Sequence, residues 1–206
     1  MADFAAYFPK LLKHEGGYTV DTGGRTMYGV TEAVWKDFQK RTGKFSGVDI
    51  AKISPDMARA VYAALYWAPL MADRITNQGA AVALFDFAVN AGVGRAVKEA
   101  QTALNAMGYK LAVDGGMGPA TLAAINKAGA GFANALTRRR IEFYKSLAAS
   151  NPAKYGKYLA GWIKRANTFF SDAAPKAGAG IAALLAVGVA LKLFIGAKGG
   201  ASARSE

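Results

Sequence analysis

Residues 14 to 31 read HEGGYTVDTGGRTMYGVT, and three side chains in that stretch could do chemistry together. Glu15 comes first and is followed at once by Gly16 and Gly17. Asp21 lies six residues further on, and Thr26 another five. A protonated carboxyl on one side of a glycosidic bond, with a carboxylate and a hydroxyl holding water on the other, is what inverting sugar hydrolysis needs. Glu15 also falls at the end of an apolar periodicity that predicts a short helix. There the negative end of the helix dipole and apolar packing both disfavour its charge, which raises its pKa towards that of a general acid. The glycines after it allow a bulky ligand to approach the backbone closely. On spacing alone, the same composition also fits a plain connection with an acid at a helix end.

The elements that must position these groups read as helical almost throughout. Phe4, Tyr7, Phe8, Leu11 and Leu12 share one face of a first helix, with Pro9 as a kink or a fresh start. The paired glycines that follow favour tight turns or a small hairpin. Thr31 is placed to cap a helix whose Val34, Trp35 and Phe38 share a face. Ser54, Pro55 and Asp56 open another that runs to Trp67. The stretch AAVALFDFAVNAG is apolar on nearly every side, which predicts a helix buried in the middle of a domain. Asp86 and Asn90 interrupt it at i and i+4 on one stripe. That stripe is expected to face a cleft; the other reading is a structural pair, with Asp86 holding a nearby arginine. Helices over 94–107, 131–149 and 152–172 follow, with a turn at VDGGMGPAT in which Pro119 opens a further helix.

The chain of 206 residues carries 26 Lys and Arg against 14 Asp and Glu, a net charge of +12. Such a balance favours polyanionic partners: nucleic acid, an anionic membrane or an acidic cell envelope. No nucleic-acid recognition motif accompanies it, and the Arg138–Arg140 run reads as a solvated face. Cysteine is absent and His14 is the one histidine, which excludes disulfides, thiolate metal sites and multi-histidine centres. Neither a metal nor a cofactor is expected. The N-terminus lacks the plan of a secretory signal. Residues 177–197 read as an apolar run broken only by Lys192, about long enough for a single membrane helix. The basic residues around that run place the N-terminal body on the cytoplasmic side.

The segments HEGGY, DTGGRTMYGVT, YAALYWAPL, LFDFAVNAG and VDGGMGPAT, in this order, resemble glycoside hydrolase family 108. These are lysozyme-like muramidases of phage endolysins and bacterial secretion loci. The resemblance runs from about residue 4 to about 172. It implies a mainly α, lysozyme-like fold that hydrolyses the bond between N-acetylmuramic acid and N-acetylglucosamine, with Glu15 as the essential acid. Asp21 and Thr26 look like the aspartate and threonine that phage-type lysozymes pair with their glutamate. Here the loop between Tyr18 and Gly23 is shortened, and Thr22 stands where proline is common, so the reach of Asp21 differs. Residues 95–172 resemble the predicted peptidoglycan-binding region that accompanies such catalytic parts.

The expectation is therefore a catalytic part over 1–93, a helical peptidoglycan-binding part over 94–174, and a linker, membrane helix and basic tail over 175–206. Catalysis is expected from Glu15, Asp21 and Thr26, and substrate binding from Tyr28, Trp67, Asp86 and Asn90. Trp67, with Tyr66, would stack on sugar rings unless its helical spacing marks it as core. The expected partners are peptidoglycan and a bacterial membrane, met by a monomer with no specific nucleic acid. A lytic transglycosylase using the same glutamate without water is one rival. A non-catalytic, membrane-anchored envelope-binding protein is another.

Overall fold

The computed structural model describes residues 1–15, 17–21 and 24–170, with the backbone alone for Lys10, Lys13, His14, Glu15 and Asp21. The first helix, α1 (Phe4–Glu15), begins where Asp3 can cap it. Asp3 Oδ1 accepts from the backbone N–H of Ala5 at 2.8 Å and of Ala6 at 3.3 Å. Gln78 ties that start to the middle of the chain, accepting from Asp3 N–H at 2.7 Å and donating to its carbonyl at 3.1 Å. The helix runs through Pro9 without a fresh start and buries Tyr7, Phe8 and Leu11.

Three short strands follow, β1 (Thr19–Asp21), β2 (Gly24–Met27) and β3 (Val30–Thr31), in an antiparallel sheet of order β1-β2-β3. Thr19 stands opposite Thr26 and Asp21 opposite Gly24; Thr26 in turn pairs with Thr31. Between β2 and β3, Tyr28 (φ 50°) and Gly29 (φ 73°) both have positive φ, the requirement of a two-residue type I′ turn. The expected small hairpin is thus joined by a second one.

Thr31 caps α2 (Glu32–Thr42), its Oγ1 accepting from Val34 N–H at 3.3 Å, and the helix buries Val34, Trp35 and Phe38. Ser54 caps α3 (Pro55–Tyr62), accepting from Met57 N–H at 3.2 Å. The helical path continues to Trp67 as a π-helical turn over Ala63–Trp67. The apolar stretch forms α4 (Gln78–Ala91), buried on nearly every side. Around it lie α5 (Val93–Ala106), α6 (Pro119–Ala128), α7 (Ala130–Ser150) and α8 (Pro152–Asn167). Helices α5 and α7 both contact α4, and α8 lies along α7. One hydrophobic core therefore runs from Tyr7 in α1 to Trp162 in α8.

The VDGGMGPAT turn is a local structural device. Gln101 of α5 donates to Asp114 Oδ1 at 2.8 Å and accepts from Gly115 N–H at 3.0 Å. Gly115 (φ +82°) lies so close to α5 that a Cβ there would come 2.8 Å from the Gly94 carbonyl.

The expected membrane helix requires correction. Among the described residues no helix is long and apolar enough to cross a membrane. The most apolar, α4, has 14 residues, short of the roughly 20 a span needs, and its surface is covered by its neighbours. Residues 177–197, which carried the expectation, lie outside the described residues. The membrane partner and the membrane-associated location inferred from that helix are withdrawn with it.

Candidate active site

Glu15 closes α1, and Asp21 and Thr26 lie on the first hairpin after it. Strand pleating and the register of β1 with β2 place positions 19, 21, 24 and 26 on one face. Val20 and Arg25 belong to the opposite face, where Val20 is 66 % exposed. Opposite Asp21 stands a glycine, Gly24, so no side chain fills the place across from it.

Thr26 is buried, yet its Oγ1 has no hydrogen-bond partner among the described residues. A buried hydroxyl without a partner costs roughly 1–3 kcal/mol, which selection removes unless something else satisfies the group.

The sheet is held from its outer face by Arg25. Its Nε and Nη2 donate to the two carboxylate oxygens of Glu32 at 2.9 and 2.8 Å, and its Nη1 to Asp49 at 2.9 Å. Those bonds raise the Arg25 pKa. Hydrogen bonds from Arg25, then Lys36, pull Glu32 down to about 2. The clamp fixes β2 against α2 and the turn at Asp49. Nothing in the local spacing of the sequence marked Arg25 for this role, because Asp49 is 24 residues away.

Tyr28 is half-buried in the tight turn, and its carbonyl accepts from the Tyr62 hydroxyl at 3.2 Å. A non-glycine residue at positive φ stores strain, and here it sits at the edge of the candidate site. Trp67 is placed differently. It is 2 % exposed, its indole N–H donates to Asp73 at 2.6 Å, and its ring lies among Phe4 and Phe85. Tyr66 is also buried, which pushes its hydroxyl up to about 12. Neither ring offers a face to a sugar in this structure. The exposed aromatic nearest Glu15 in the chain is Tyr18, at 43 %.

Asp86 and Asn90 do lie on one stripe of α4, but the stripe faces two arginines. Arg165 of α8 donates from Nε to both Asp86 oxygens, at 3.1 and 3.0 Å, and from Nη2 to Oδ1. Arg140 of α7 brings Nη1 to 2.7 Å from Asp86 Oδ2. Asn90 donates back to the Asp86 carbonyl at 2.7 Å. Burial pushes the Asp86 carboxyl up, but Arg165 and Arg140 outweigh it and hold the group below the usual carboxylate range. Arg140 is itself enclosed by Phe87, Tyr144 and Phe169, each ring 5.2–5.4 Å from its guanidinium carbon. The reading of Arg138–Arg140 as a solvated face thus holds for Arg138, which is exposed, and fails for Arg140. A signal was present: Arg140 continues the buried stripe of Ala133, Leu136, Thr137 and Tyr144 at helical spacing.

Among the described residues no group of three or more His, Asp and Glu side chains is placed to hold a metal ion. Residues 8–92 match the family Glycosyl hydrolase 108, and residues 95–167 match the family Predicted Peptidoglycan domain. The chain is also similar to the solved structure of Brucella abortus SagA. The identity is 28 % and the TM-score 0.61, over 82 % of this chain and 97 % of that one. No functionally curated protein matches. The protein is a peptidoglycan-acting hydrolase whose chain contains a glycosyl hydrolase 108 domain followed by a peptidoglycan-binding domain.

Proposed function

We propose that the protein is a muramidase that hydrolyses the β-1,4 bond between N-acetylmuramic acid and N-acetylglucosamine, with Glu15 as general acid. Glu15 stands in the last turn of α1, where the helix dipole disfavours a carboxylate and so favours the protonated form that donates to the leaving oxygen. Water attacks the oxocarbenium-like carbon from the other side, held by Asp21 and by the Thr26 hydroxyl. The observation that carries this reading is the buried Thr26 Oγ1, without a partner among the described residues, on the same hairpin face as position 21.

Tyr28 and Tyr18 keep exposed surface on and beside the hairpin and offer rings to a sugar; Trp67 serves the core. Asp86 acts at a distance, by fixing α4 against α7 and α8, and Asn90 bonds back to it within α4. A net charge of +12 draws the enzyme to an anionic envelope, and lysis of that envelope, as a phage endolysin performs it, is the role that fits.

Mass spectrometry of digested peptidoglycan tests the chemistry. Hydrolysis gives reducing muramic acid ends that carry the mass of one added water. Anhydromuramic ends as the main product would replace this reading with a lytic transglycosylase.

A further inference from the structure

The second domain carries an open groove of about 490 Å³ between α5 and α7, apart from the hairpin face. Its floor is built around Glu99, which is 7 % exposed. Arg139 donates to one Glu99 oxygen from Nε at 3.2 Å and from Nη2 at 2.9 Å. Arg95 lies 3.6 Å from the other oxygen, with its guanidinium carbon 5.2 Å from the centre of the Phe143 ring. Two arginines on one carboxylate leave an excess positive charge. Their side chains remain 48 % and 41 % exposed, and a guanidinium has five N–H donors, so both retain donors for a second anion. Glu142 at the rim is engaged by Lys145 at 3.0 Å and does not cancel that charge.

The rest of the groove follows α7 along Phe143, Ser146 and Ser150. Arg139 to Ser150 is eleven residues of helix, about 16 Å at 1.5 Å each, the length of four or five extended residues. Ser150 donates to the Leu147 carbonyl at 2.7 Å and so keeps its oxygen as an acceptor for a ligand N–H. The groove therefore offers an anion site at one end, an apolar wall and hydroxyls along an extended path.

We infer that this groove binds the peptide stem of peptidoglycan, with a free stem carboxylate on Arg95 and Arg139. The inference rests on peptidoglycan being the substrate. Charge decides between the two parts of that polymer: in intact wall the lactyl carboxyl of muramic acid is consumed in the amide to the stem. The free carboxylates therefore belong to the peptide, and the glycan strand alone would leave the arginines unanswered. Engaging stems places the enzyme on peptide-bearing wall rather than on bare glycan.

The test is calorimetric titration of the full chain with free tetrapeptide stem, released from purified peptidoglycan by an amidase. The expected result is saturable binding at one site. Arg95→Gln should weaken it about tenfold, the effect of losing one charge-assisted contact. Ser146→Trp, which fills the groove without touching the Glu99 ion pairs, should abolish it. No saturable binding by the unaltered protein, unchanged affinity in both variants, or binding of peptide-free glycan strands alone would each overturn the inference. Release of reducing ends from whole wall, measured in parallel on the unaltered protein, reports separately on the muramidase reading.

Discussion

Arg165, 79 residues downstream of Asp86, folds back to place its Nε 3.1 and 3.0 Å from the two Asp86 carboxylate oxygens, in a buried pair. Asp86 lies within the glycosyl hydrolase 108 match and Arg165 within the peptidoglycan domain, so the pair joins the two. Arg140 completes the junction from α7. The carboxylate that reads along α4 as a cleft residue is the pin between the domains.

Removing that carboxylate leaves two buried guanidinium groups facing each other without an anion. Asp86→Asn should destabilise the protein by roughly 3–5 kcal/mol, read as a loss of unfolding midpoint in urea. Wall hydrolysis by the fraction that remains folded should fall far less than in a Glu15 variant. A midpoint equal to that of the unaltered protein would remove the pin from the account.

The same group sets an acid limit. Its folded pKa lies below the unfolded value of about 3.9, so its contribution is fully present above that value and is lost as pH falls through the folded one. Unfolding followed by circular dichroism from pH 6 downwards should show a stability loss in the window below about pH 4. In Asp86→Asn that part of the pH dependence should be missing.

Thr26→Val tests the hairpin face. Valine keeps the shape and removes a buried hydroxyl that has no partner among the described residues. Stability should hold or rise by up to about 1 kcal/mol, while hydrolysis of peptidoglycan falls by about 10²-fold or more. A loss of stability with activity retained would show that the hydroxyl serves the fold instead.

Tyr28→Asn addresses the strained turn. Asparagine accepts positive φ more readily than tyrosine, so the melting temperature should rise, by the equivalent of about 0.5–1 kcal/mol. If the ring meets the sugar, KM rises with kcat little changed. An unaltered KM would leave Tyr28 as a turn residue alone.

Much of the fold was legible because its signals are local. Thr31 and Ser54 cap helices within three residues of themselves, and the unbroken apolar run of α4 announces its burial wherever its neighbours come from. The type I′ turn was less visible, since tyrosine occupies a position usually given to asparagine, aspartate or glycine. Long-range ion pairs were not legible. Nothing near Asp86 in the sequence names Arg140 or Arg165, and three consecutive arginines look alike until a buried stripe singles out one. Trp67 could be read as core or sugar platform from its spacing, and its bond to Asp73 and its 2 % exposure decide for the core.

In the proposed mechanism the proton comes from Glu15, and that role has a direct test. The measurement is reducing-end release from purified peptidoglycan with Glu15→Gln beside the unaltered protein, across a pH series. A loss of at least about 10²–10³-fold is expected in the variant, at unchanged melting temperature. Activity of the unaltered enzyme should also fall as pH rises and the acid ionises. Full activity in Glu15→Gln would contradict that role.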